Sequence, residues 1–271
     1  EDNFGFIDGF PITLIINDTY EGVYWFNLPR PDFDYTKYAI IGSQYVDATS
    51  FEKVPDGGVK LDGSDFESLN PEDTPTSEEK QAVSDLINWV VSANDTTFTA
   101  DLEKHFNKNS LIDYLVFTNI VGARDAYGKN QVLLSWDGKV WYYQPYDLDC
   151  IYNASWNGTV FNTMPKYDPN NPKHPSFGDN SRLFRLLARI YYDDVCKRYT
   201  QVRQWCTPGY VLDLFKKTIE KIGTANYQRE WAKWNDPSKD TEDFKQLKNA
   251  VYDHFRLADQ TWLKKPSTKV Q

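Results

Sequence analysis

Residues 111–149, LIDYLVFTNIVGARDAYGKNQVLLSWDGKVWYYQPYDLD, constrain this chain more than any other stretch. An apolar segment at 111–120 leads into a polar knot, Arg124-Asp125-Ala126-Tyr127-Gly128-Lys129-Asn130. Two strand-like runs follow, 131–135 and 140–144, turned at Trp136-Asp137-Gly138-Lys139. The stretch closes on Tyr146-Asp147-Leu148-Asp149. A short hairpin brings its two ends together, so carboxylates and an amide flanking it can converge on one spot. Metal and phosphate chemistry needs that arrangement.

Magnesium takes hard oxygen donors, uses one or two carboxylates and keeps several waters. Phosphoryl transfer also needs a carboxylate to orient the attacking hydroxyl or accept its proton. Asn130 stands five residues after Asp125, and Asp147 stands 22 after it, across the hairpin. By spacing alone these residues are equally readable as turn formers and solvated strand-end carboxylates. Paired carboxylates such as Asp147 and Asp149, two apart on a strand, also permit a carbohydrate-active reading. No second motif supports that one.

The flanking chain sets the architecture. Residues 11–28 form a hairpin turned at Asn17-Asp18-Thr19, with Gly22 marking a bulge or a close backbone approach. A short apolar strand follows at 37–41. Residues 54–75 are rich in Pro, Gly and Asp and read as a long loop, with one buried-strand hint at 59–61. Thr76 and Glu79 form a capping signature for a helix to about Ser92 that buries Val83, Leu86, Ile87 and Val90. Residues 95–99 read as a turn and 101–106 as a short helix, and Ser110 caps the apolar helix after them. Residues 150–180 lack periodicity and form a long loop of the kind that often carries function. Ser181 caps a helix bearing Leu183, Phe184, Leu186 and Leu187, and 193–205 continue helically. Thr207-Pro208 opens another helix, burying Val211, Leu212, Leu214 and Phe215. The last helix spans 240–262, with Phe244, Leu247, Val251, Phe255 and Leu257 on its apolar stripe. Strands first and helices second make this α+β. A small antiparallel, strand-rich part at 1–75 precedes a larger, mainly helical lobe at 76–271.

Bulk properties narrow the partners. Net charge is −9, from 30 basic and 39 acidic residues, which disfavours a phosphate-backbone binder and suits a basic protein substrate. No apolar run reaches the ~20 residues needed to span a bilayer. The three cysteines include no CxxC pair, and the three histidines are scattered, so zinc is not expected.

On these residues the chain resembles the spore coat protein H (CotH) kinase family, an atypical branch of the protein-kinase fold. Asp125 to Asn130 is similar to its D-x-(Y/F)-x-x-N segment, and Tyr146-Asp147-Leu148-Asp149 to its W-D-F/L-D close. The run Tyr20-Glu21-Gly22-Val23-Tyr24 resembles an N-terminal strand motif of the family. Residues 181–187 and 231–234 resemble its C-terminal helices.

The resemblance implies an ATP- and Mg²⁺- (or Mn²⁺-) dependent phosphotransferase acting on Ser or Thr of a protein, secreted, at a surface or in a coat or particle. Asp125 would be the catalytic aspartate. Asn130 and Asp147 would be metal ligands, with Asp149 assisting. Lys129 would contact phosphate. The family's extra N-terminal strands, which carry a nucleotide-binding basic residue, are expected to be missing, because no Gly-rich loop precedes Ile12. Arg30 or Lys37 would then supply the basic contact. A non-catalytic binding domain of a surface, coat or virion-tail protein is the alternative.

Overall fold

The computed structural model describes residues 9–27, 36–69, 74–123, 125–156, 181–234 and 245–263. It is an α+β protein, with two small antiparallel sheets and eight helices among the described residues.

The first sheet is the hairpin of β1 (Gly9–Ile16) and β2 (Thr19–Asn27). Asn17 and Asp18 turn it with φ of 48° and 60°, the left-handed pair that a two-residue hairpin turn demands. Leu14 faces Gly22 and Ile15 faces Tyr20, so Glu21 is the extra residue of a bulge. The hairpin docks on the helices α6 (Pro208–Ile222) and α7 (Thr224–Trp234). The Tyr20 hydroxyl and the Val23 N–H both donate to the Glu230 carboxylate, at 2.9 and 2.7 Å. Gly22 has φ +135°, and a Cβ there would lie 2.9 Å from that carboxylate.

The second sheet has the order β4-β3-β5-β6. Its strands are β3 (Tyr38–Gly42), β4 (Phe66–Ser68), β5 (Val132–Ser135) and β6 (Tyr142–Gln144). One sheet therefore joins a strand before residue 75 to the central hairpin. Period-two alternation divides β3: Tyr38 and Ile40 enter the main core, while Ala39 and Ile41 join a smaller cluster with Val132, Leu134 and Leu69.

Helix α1 (Ser77–Ser92) starts where its cap signature places it, with the Glu79 N–H donating to Thr76 Oγ1 at 3.1 Å. Val83, Leu86, Ile87 and Val90 are all buried. Helix α3 (Lys108–Val121) is buried over most of its circumference, and α5 (Tyr192–Arg203) and α8 (Lys245–Trp262) pack on it.

Several expectations are corrected. Residues 95–105 form one helix, α2 (Asp95–His105), rather than a turn and a short helix. Asn94 and Thr97 form a reciprocal capping box, which offsets the weak propensity of Thr96, Thr97 and Thr99. Helix α3 is capped by Asn107, whose Oδ1 accepts the Ser110 N–H, and Ser110 itself is buried inside the first turn. The loop at 54–75 contains the edge strand β4, while Val59 and Leu61 are buried without forming a strand. Ser181 sits at the start of α4 (Arg182–Ile190) but makes no side-chain cap bond. On α6 only Val211 is buried, and Leu214 is exposed. The stretches 157–180 and 240–244, including Phe244, lie outside the described residues.

The three cysteines form no disulfide. Among the described residues, no helix is long and apolar enough to cross a membrane.

Candidate functional site

The segment from Asp125 to Asn130 is pinned at nearly every position. Helix α3 ends at Gly122, whose φ of 68° gives a left-handed C-cap. Beyond it, the Tyr114 hydroxyl donates to the Ala126 carbonyl at 2.6 Å. The Tyr127 hydroxyl accepts from Asn119 Nδ2 at 2.9 Å and shares a short bond with Thr118 Oγ1. Asn119 Oδ1 in turn accepts from the Trp262 indole at 3.1 Å, which ties the segment to α8.

At the far end of the segment, the Asn130 N–H donates to the Gly42 carbonyl and the Gly42 N–H to the Gln131 carbonyl, both at 2.9 Å. Gln131 is fully buried. Its Nε2 donates to Thr49 and Gly128 carbonyls, and its Oε1 accepts the Tyr143 hydroxyl. These bonds leave Asp125 half-buried, Lys129 exposed and Asn130 buried.

The chain returns to the same place after β6. Asp147 takes a left-handed conformation, φ 51°, just before a single 3-10 turn at Leu148–Cys150. That turns its carboxylate onto Asn130. Asn130 Nδ2 donates to Asp147 Oδ2 at 2.9 Å and to Asp125 Oδ2 at 3.1 Å. Asn130 is itself left-handed, φ 61°, a conformation that Asn tolerates better than most residues. The three residues singled out by spacing therefore meet, and one amide joins them.

Asp149 comes in beside them. Its carboxylate, that of Asp125 and the Cys150 thiol have ligand atoms within 4.8 Å of one another. Burial raises the Asp125 carboxyl above the ordinary range, and the negative charges of Asp149 and Asp147 raise it further, while Lys129 opposes them. Burial likewise pushes the Cys150 thiol up to about 12, helped by its bond to Asp149 and the charge of Asp125. Such a thiol stays protonated at neutral pH and is a poor nucleophile.

Lys129 thus acts on Asp125 through its charge. Arg30 lies outside the described residues, and Lys37 lies over the Tyr38 ring, 5.1 Å from its centroid. Tyr45 is a further neighbour that no motif marks. Burial, the Asp125 charge and then Cys150 all raise its hydroxyl. The only sequence trace of this contact is Gly128, where a Cβ would lie 2.9 Å from Tyr45 Cδ1.

Chemically the oxygen donors here are the Asp125, Asp147 and Asp149 carboxylates and the Asn130 amide, with Asn130 bonded to Asp125 and Asp147, and Asp149 within 4.8 Å of Asp125. That set fits magnesium or manganese better than a soft metal. Asp147 and Asp149 are exposed, so a cation held there would keep part of its water. The mutual repulsion that raises Asp125 is what a bound cation relieves.

A search of curated proteins finds no match. The family model for CotH kinase protein matches residues 9–257, which include every element from β1 to most of α8. By that match, which spans nearly the whole chain, this protein belongs to the CotH kinase family.

Proposed function

We propose that the chain is an ATP- and divalent-metal-dependent phosphotransferase acting on serine or threonine hydroxyls of a protein. The observation that carries this reading is the single Asn130 amide bonded to both Asp125 and Asp147. It puts a candidate base and a candidate metal carboxylate next to each other, as in-line phosphoryl transfer needs.

Asn130 and Asp147 would hold Mg²⁺ or Mn²⁺, with Asp149 assisting; such an ion supplies positive charge to the phosphate oxygens. Asp125 would orient the acceptor hydroxyl and take its proton as that oxygen bonds to the terminal phosphorus of ATP and the bond to the departing ADP breaks. Burial, the largest cause of its raised pKa, remains when a cation relieves the repulsion from Asp147 and Asp149. The buried bonds from Tyr114, Tyr127 and Gln131 fix the segment that carries it, so little reorganisation accompanies transfer. Lys129, which is exposed and acts on Asp125 through its charge, would contact a phosphate oxygen, and Arg30 would be the second basic residue for the nucleotide.

Titration calorimetry with ATP and Mg²⁺ or Mn²⁺, paired with a phosphotransfer assay on an Arg/Ser-rich protein, tests this. Asp147→Ala is expected to lose metal-dependent nucleotide uptake. Asp125→Asn is expected to keep uptake and lose transfer by roughly 100-fold or more. No heat with the unmodified chain, or normal uptake by Asp147→Ala, overturns the reading.

A further inference from the structure

A cavity of about 580 Å³ lies between α3, α5 and α6, and Ile151 and Tyr152 close it on one side. That volume is ordinary for a small-molecule pocket, and the space between packed helices is a usual place for one. Val116, Ile120, Val202, Val211 and Phe215 supply apolar walls. Along α3 the lining runs from Asp113 to Val121, two turns and roughly 12 Å of helix. Trp205 and Tyr210, their rings edge to face at 5.8 Å, also line the cavity and are exposed, so it opens to water beside them.

Most polar groups of the lining are engaged. Arg198 forks onto the Asp113 carboxylate through two hydrogen bonds, and the Thr218 hydroxyl donates to the Leu214 carbonyl at 3.0 Å. Tyr152 differs. It is only 3% exposed, yet its hydroxyl has no hydrogen-bond partner among the described residues. A buried hydroxyl left without a partner is unfavourable, and calls for an explanation.

Tyr152 is also held in place firmly. It and Asn153 are both left-handed, with φ of 48° and 69°. The Tyr152 N–H donates to the Val121 carbonyl at 2.8 Å, and its carbonyl accepts from Gln246 Nε2 at 3.1 Å. Asn153 Oδ1 meets His254 Nε2 at 3.1 Å. Non-glycine residues keep such backbone only where their surroundings over-determine it, and they cluster where ligands bind.

We propose that this cavity binds an uncharged, chain-like aliphatic molecule whose terminal oxygen accepts a hydrogen bond from the Tyr152 hydroxyl. The molecule is uncharged because the two charged side chains of the lining, Asp113 and Arg198, already neutralise each other. A charged head group would be buried there unpaired. A flexible chain suits walls that mix branched aliphatic and aromatic side chains along two turns of helix. The oxygen belongs at the Tyr152 end, beside Val121. This site stands apart from the Asp125 cluster and does not depend on phosphotransfer.

Calorimetry of the full chain with 1-decanol and with decanoate, at neutral pH, tests this. 1-Decanol is expected to bind saturably at one site, and decanoate at least tenfold more weakly. Tyr152→Phe, which removes only the hydroxyl, is expected to weaken 1-decanol by roughly fivefold. Val202→Trp, which fills the cavity from α5, is expected to abolish saturable binding. If Val202→Trp does not melt cooperatively, Tyr152→Phe decides alone. No saturable heat with the unmodified chain overturns the proposal, as happens if a protein segment or a second copy occupies the cavity instead. Undiminished binding by Tyr152→Phe or by a folded Val202→Trp overturns it as well, and so does decanoate binding more tightly than 1-decanol.

Discussion

Asn130 and Asp147, 17 residues apart and at opposite ends of the β5–β6 hairpin, both adopt left-handed backbone and meet at 2.9 Å. Two such residues in contact concentrate conformational strain at one point, as functional sites often do. The two demands on Asn130 separate by substitution. Asn130→Gly keeps the backbone free to take φ 61° and removes the amide, whereas Asn130→Ala removes the amide and adds roughly 1 kcal/mol of left-handed strain. Both variants are expected to lose metal-dependent nucleotide uptake. Urea unfolding is expected to show the glycine variant at least as stable as the alanine one, despite its more flexible unfolded chain. The reverse order would mean that the greater freedom of glycine in the unfolded chain outweighs the left-handed strain of alanine at this position.

Glycines at 42 and 128 predict two different outcomes. A Cβ at Gly42 would lie 2.0 Å from a backbone oxygen, which cannot give way without moving the Asp125–Asn130 segment. At Gly128 the obstacle is the exposed Tyr45 ring, which can swing aside. Gly42→Ala is expected to cost roughly 1–3 kcal/mol or more in urea unfolding, in the range of core overpacking. Gly128→Ala is expected to cost clearly less. Equal losses would contradict the packing described here.

The spacing of Asp125, Asn130 and Asp147 was legible because both ends of a hairpin must come together. Helix α1 was legible because Thr76, Glu79 and a regular apolar stripe agree. Helix α2 was obscured by its threonines, whose helix propensity is poor. What forms it is the Asn94–Thr97 capping box and the burial of Phe98 and Leu102 against other elements. Strand β4 is three residues inside a polar loop and exists by pairing with β3, a partner that a local pattern cannot show. Tyr45 lies 80 residues before Asp125, and only the β3–β5 pairing brings its loop to the site. Local chemistry is readable along a chain; long-range apposition is set by packing.

Glu79 supplies a pH dependence away from the site. It is buried with 2% exposure, its Oε1 accepts the Ser68 hydroxyl at 2.8 Å, and burial raises its pKa above the ordinary 4.5. The folded state therefore holds this proton to higher pH than the unfolded state does. Its favourable contribution is complete at acid pH and is lost as pH rises from about 4.5 through the raised value. Glu79→Gln keeps an acceptor for Ser68 and removes the charge. Relative to the unmodified chain, the variant is expected to gain stability between acid and neutral pH, read from urea midpoints at both. A difference that stays flat with pH, or runs the other way, contradicts this account.

Trp262 extends the site's support to the far end of the chain. It is fully buried on α8, and its indole N–H donates to Asn119, whose own amide donates to Tyr127 beside Asp125. Trp262→Phe leaves the Asn119 oxygen unmet in the core, at a cost of roughly 1–3 kcal/mol before any loss from the smaller ring. Tyr127→Phe leaves the Asn119 amide nitrogen short by one acceptor, with a cost of the same order. Because Asn119 is common to both, the two losses are expected not to add. A double-mutant cycle should show a coupling of about 0.5–3 kcal/mol, the range for members of one hydrogen-bond network. Strict additivity would mean that α8 and the Asp125 segment are held independently. Coupling would show that the segment carrying the candidate base is set in part by a residue 137 positions away from it.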